Sequence, residues 1–148
     1  MGVINFFGIG VVVAILVPNV IFALKCPDGF QNPWKNKLVE TLEQIGRFGC
    51  FVFMIVNVPG TFWGFASEGA RTMYFAADSV LVAAYLAIWA ICAKKNNTFR
   101  AAALSSIPAA MFLASGVLLR SILLSFFALI FAPTHILLSC KNAAAAKK

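Results

Sequence analysis

The chain has 148 residues, 61% of them hydrophobic and 11% charged. An average soluble domain is roughly 45–50% apolar and 25% charged, so the composition excludes a soluble enzyme, a disordered chain and a disulfide scaffold and leaves an integral membrane protein. The net charge of +7 fits that class, because basic residues flank membrane spans and orient them. No basic run with interleaved aromatics points to nucleic acid.

A bilayer core of about 30 Å takes roughly 20 apolar residues as a helix, and five stretches meet that length. The first runs from Val3 to Leu24. It lacks a basic n-region and is longer than the apolar core of a signal peptide, which makes it a mature helix. Asn36 to Arg47 reads as an amphipathic lead-in, with Leu38, Val39, Leu42 and Ile45 on its apolar side. Within it, Glu43 precedes Arg47 by four residues, the favourable order for a helical ion pair. The second span follows from Ile45 to Phe65 and the third from Met73 to Ala93. The apolar stretch from Arg100 to Ser139 is about twice one span, and it divides near Leu118–Ser121 into a hairpin of two more. Residues 143–148 read as a disordered tail or a cloning remnant, which leaves residues 1–142 as a single domain. The expected fold is all-α, a bundle of five transmembrane helices.

Lysine and arginine orient the bundle. Ten lie in the first loop, the third loop and the tail; Arg71 and Arg120 are the two on the other side. This bias predicts an outside N-terminus and a cytoplasmic C-terminus in a plasma membrane. Cys26, Cys50, Cys92 and Cys140 then fall near the cytoplasmic face, where thiols stay reduced and no disulfide is expected.

Polar and small residues turn inward in a membrane bundle, and spacings of three and four mark one helical face. On the first helix that face carries Asn5, Gly8, Val12, Ile15, Asn19, Phe22 and Cys26. On the second it carries Glu40, Glu43, Arg47, Cys50, Met54, Asn57 and Thr61. On the third it carries Asp78, Val82, Tyr85, Trp89 and Cys92. On the fourth it carries Ala102, Ser106, Ala109, Leu113 and Gly116, and on the fifth Ser121, Ser125, Ala128, Ala132, His135 and Ser139. Pro18 beside Asn19 and Pro59 beside Asn57 are expected to break spans one and two, with Pro108 and Pro133 as further interruptions. Two charge clusters follow: an outer one of Glu68, Arg71, Asp78 and Arg120, with Asp78–Arg120 the leading pair, and an inner one of Asp28, Glu40, Glu43, Arg47 and His135. Trp34, Trp63, Tyr74 and Trp89 are expected in interfacial aromatic belts.

Catalytic signatures are missing. His135 is the sole imidazole, and the chain has no GxSxG, HExxH, P-loop or GxGxxG sequence. No catalytic residue, metal site or cofactor is therefore expected. Leu16–Lys25 (LVPNVIFALK) and Asn36–Gly60 (NKLVETLEQIGRFGCFVFMIVNVPG) resemble segments of a family of short multi-pass bacterial membrane proteins. The resemblance extends to about Asn142; it implies a bacterial inner membrane and five helices, and it brings no activity or ligand.

The leading expectation is a non-enzymatic membrane protein that works by helix packing with itself or with another membrane protein, its partners otherwise being the lipid bilayer. The alternative is a small oligomeric transporter or channel for an ion or small solute, with Asn19, Arg47, Asn57, Asp78, Tyr85, Arg120 and His135 along its polar track. An intramembrane enzyme is a third reading.

Overall fold

A computed structural model describes residues 2–25, 33–92 and 98–145. Among these the chain forms five helices, α1 (Phe6–Lys25), α2 (Lys37–Ile55), α3 (Glu68–Cys92), α4 (Thr98–Leu118) and α5 (Ile122–Ala145). Four of them, α1, α3, α4 and α5, are long and apolar enough to cross a membrane. The large apolar side chains on the outside, such as Leu24, Ile91, Phe99, Val117 and Leu129, are those a lipid phase would cover.

Successive helices run in opposite directions. One end of the bundle gathers the start of α1, the end of α2, the start of α3 and the α4–α5 turn. Asn5 N–H donates to Ile55 O, Ile122 N–H donates to Thr61 O, and isolated bridges pair Ile4 with Val56 and Phe62 with Ser121. At the opposite end lie the C-termini of α1, α3 and α5 and the N-termini of α2 and α4.

α2 departs from expectation at both boundaries. It begins at Lys37 because Asn36 caps it: the Asn36 side chain accepts from Val39 N–H, and Glu40 reaches back to Asn36 N–H. It ends at Ile55, ten residues before the expected limit at Phe65. Val58 precedes Pro59 and is disfavoured in a helix, and Gly60 turns the chain at φ 85°. Pro59, Asn57 and Thr61 therefore lie in the connection after α2 and do not interrupt a span. The other prolines do not end their helices either, since α1, α4 and α5 continue through Pro18, Pro108 and Pro133. α5 also runs on to Ala145, through the first residues of the expected tail.

The core contains Val12, Ile15, Cys50, Met54, Tyr74, Tyr85, Trp89, Phe112, Ala128 and Phe131. The predicted inward faces of α1, α3 and α5 are the buried or half-buried ones. On α4 Ala109 and Gly116 of the expected face are buried and Ala102 and Leu113 half-buried, whereas Ser106 is exposed and the neighbouring Ser105, Phe112 and Ser115 are buried. Cys50 lies in this core, well along α2 rather than at the cytoplasmic boundary. Tyr74 and Trp89 are buried as well and belong to no interfacial belt, unlike Trp63, which is exposed. Cys50, Cys92 and Cys140 are free thiols; Cys26 lies outside the described residues.

Helix packing relies on glycine at four close approaches, one of them Gly8 of α1, where a Cβ would run into the Met54 backbone carbonyl of α2. A Cβ on Gly46 would lie 2.8 Å from the Phe131 backbone, one on Gly49 would run into the Phe127 ring, and one on Gly116 would lie 2.9 Å from the Ser125 backbone nitrogen. Small residues are used here to bring α5 against α2 and α4.

Candidate functional site

At the end where α2 and α4 begin, the five helices, among the described residues, leave a space between them. This cavity of about 970 Å³ runs from Lys37, Asn142 and Ala143 inward to a deepest layer of Ile15, Phe51, Tyr85, Phe112 and Phe131. From Lys37 to Phe51 it extends about 21 Å along α2, at 1.5 Å per residue. Its walls mix rings with both signs of charge, Glu40 and Glu43 facing the same space as Lys37, Arg47, Arg100 and His135.

Glu43 is the centre of the α2–α5 wall. Its side chain is fully buried. One oxygen, Oε1, accepts from Arg47 Nε at 2.9 Å and also from the Arg47 terminal nitrogen, and it lies 2.8 Å from His135 Nδ1. The other oxygen, Oε2, has no hydrogen-bond partner. The helical spacing sets the Arg47 contact, and the close α2–α5 seam at Gly46 brings His135 to the same atom. The imidazole is further fixed by stacking on Phe131, with centroids 4.5 Å apart. Burying an acid beside two basic side chains offsets much of the desolvation cost.

The opposite wall comes from α1, α3 and α4. Asn19 donates from its amide nitrogen to Ile15 O and to the Tyr85 hydroxyl, both at 2.8 Å. Asn19 thus ties α1 to α3 one residue after Pro18. The Arg100 guanidinium lies over the rings of Phe22 and Trp89, at 4.5 and 4.8 Å from their centroids, in cation–π contact with both. The Trp89 indole nitrogen is buried without a hydrogen-bond partner. Among the described residues no three His, Cys, Asp or Glu side chains converge as metal ligands do.

Of the seven residues expected along a polar track, Asn19, Arg47, Tyr85 and His135 line this cavity. The other three lie elsewhere. Asn57 is at the end of the bundle away from the cavity, where its amide donates to Gly2 O and its backbone N–H donates to Val3 O. Asp78 is buried, and its Oδ2 accepts from Ser115 Oγ at 2.7 Å. Arg120 sits in the α4–α5 turn at φ 52°, its guanidinium 5.9 Å from the Trp63 ring centre. The expected Asp78–Arg120 pair does not form, because Asp78 lies ten residues into α3, about 15 Å along its axis, whereas Arg120 is at the surface. The outer cluster reduces to an exposed Glu68–Arg71 pair. In the inner cluster Glu43, Arg47 and His135 meet, Glu40 turns to Asn36, and Asp28 lies outside the described residues.

Arg100, Trp89 and Ser105 are cavity residues that the expected track lacks. Arg100 had the right signal, a cation at the start of an apolar stretch on the same predicted side as Arg47. Compared with known proteins, the chain matches no family model, no curated protein and no solved structure.

Proposed function

We propose that the protein binds a small polar solute within the membrane, in a cavity open toward its lysine-rich end, and works as a carrier or channel for that solute. The observation that carries this reading is the cavity itself, which places a buried Glu43–Arg47–His135 cluster across from Arg100, Asn19 and Tyr85. Ionisable groups at membrane depth are expensive and mark solute or ion pathways. Walls of both signs, with rings between them, suit a solute carrying both hydrogen-bond donors and acceptors.

Topology belongs to the same proposal. We place α2 in the membrane as a fifth crossing, with the N-terminus outside and the C-terminus in the cytoplasm of a bacterial cell. The support is its antiparallel course and its outward face of Leu38, Ile45, Phe48 and Val52, together with ten basic residues on one side against two on the other. The cavity then opens to the cytoplasm. The packing alternative loses its main warrant, since the glycine seams are filled by this chain's own helices.

The test is a thermal-unfolding screen of the protein in lipid nanodiscs against a panel of amino acids, small carboxylates and small amines. At least one panel member is expected to raise the melting temperature of the wild type and to lose that effect in Arg47→Gln and Asn19→Leu. If no panel member stabilises the wild type, and a water-soluble maleimide fails to reach a cysteine placed by Ser139→Cys, the solute-binding reading is overturned.

A further inference from the structure

Asp78 is the second buried carboxyl in the bundle, and it stands just beyond the cavity. Its side chain is 1% exposed. Its described polar contact is the Ser115 hydroxyl, a neutral group. The helices packed against α3 are α1 and α4. From Phe6 to Leu24 α1 carries no ionisable side chain, and from Ala101 to Leu118 α4 carries none either. On α3 itself Tyr74 is one turn away and Tyr85 two turns away. Farther off, α2 contributes Cys50 to the core, and the charges of Glu43, Arg47, His135 and Arg100 lie along the cavity walls. A carboxylate so placed has no cation to offset its desolvation. The form such a site holds at least cost is the neutral acid, with a proton on the carboxyl.

The route for that proton is short. Ser115 follows Phe112 by three residues, about 4.5 Å along α4, and Phe112 is part of the deepest layer of the cavity. The Phe112 ring lies 5.9 Å from that of Phe51 and 5.8 Å from that of Phe131. Phe112 is thus the cavity-lining residue nearest to Ser115 along α4.

We propose that Asp78 is an intramembrane proton-binding site, loaded from the cavity past Phe112. A hydronium ion in the cavity gives its proton to the carboxylate, leaving water and a neutral Asp78. This inference rests on the reading of the cavity as a water-filled vestibule.

The experiment is carbodiimide modification of the full-length protein in liposomes, read by mass spectrometry of the Asp78 peptide. Carbodiimides add to protonated carboxyls. Apolar dicyclohexylcarbodiimide is expected to modify Asp78 in the wild type and in Ser115→Ala, with no adduct in Asp78→Asn. The rate of modification should fall about tenfold per pH unit once the group ionises. A water-soluble carbodiimide should leave the wild type unmodified and modify Phe112→Ala. Absence of the Asp78 adduct at every pH, a rate that does not change with pH, or exclusion of the water-soluble reagent from Phe112→Ala would each overturn the proposal. Maleimide labelling of Ser139→Cys in the same liposomes separates the two failures. If that cysteine labels while Asp78 does not, the proton site falls and the vestibule stands; if it does not label, both fall.

Discussion

Glu43 gathers its partners on a single oxygen, so Arg47 and His135 are coupled through it. Removing one partner of a buried polar group leaves the other unsatisfied, at a cost of about 1–3 kcal/mol. Glu43→Gln and His135→Ala are each expected to destabilise the protein by that order in thermal unfolding. The double variant should lose clearly less than the sum, because the two side chains share one interaction. Strict additivity in that cycle would show that they act independently. Much of this cluster was legible in the sequence. The four-residue spacing of Glu43 and Arg47 announces a helical pair, and the loop charges put His135 at the same end. The pairing of Asp78 with Ser115 was not legible, because charge patterning suggests ionic partners and carries no sign that a carboxyl is held by a hydroxyl alone. Tyr74 and Trp89 were misread for a similar reason: an aromatic near the end of an apolar stretch has the same signature in a belt and in a core.

At the level of single helices, α2 shows why mean hydropathy is an incomplete guide to membrane crossing. Its charges fail a composition criterion that α1, α3, α4 and α5 satisfy. Glu43 is buried, however, and Arg47 is half-buried, whereas Leu38, Ile45, Phe48 and Val52 are exposed. An average along the sequence cannot separate a charge turned inward from one turned toward lipid; the three-and-four spacing can, and it placed Glu43, Cys50 and Met54 on the inner face. The end of the helix was harder to read, since apolar residues recur past Ile55 as far as Phe65 and Pro59-Gly60 is the clearest stop signal. Close packing supplies a contrast that thermal unfolding can measure. Gly46→Ala pushes a methyl group into the Phe131 backbone and should cost about 1–3 kcal/mol. Gly10→Ala meets nothing within 4 Å and sits in a helix interior, so it should be neutral or stabilising by up to about 1 kcal/mol. Equal losses in the two variants would show that the α2–α5 approach is not tight.

Across the whole molecule, the two ends of the bundle differ. The end away from the cavity is stitched by backbone pairs from residues 3–5 to 55–57 and from 61–63 to 120–122 and is filled by Phe7, Tyr74 and Phe75, whose rings pack edge to face, with Phe65 tilted against Tyr74 and Phe75. The proposed topology puts this end outside. A membrane-impermeant maleimide applied to intact cells should therefore label Trp63→Cys and reach Cys140 only after permeabilisation. The reverse pattern would invert the topology and turn the cavity to the exterior.

Asn5, just before α1, and Asn19 within it carry a consequence for biosynthesis. Asn5 bonds to the Tyr74 hydroxyl and Asn19 to that of Tyr85, groups translated 69 and 66 residues later. A ribosome releasing this chain therefore delivers α1 with these amides still lacking their final acceptors. α1 must wait, at the insertion machinery or in lipid, until α3 has been made before these two bonds can form.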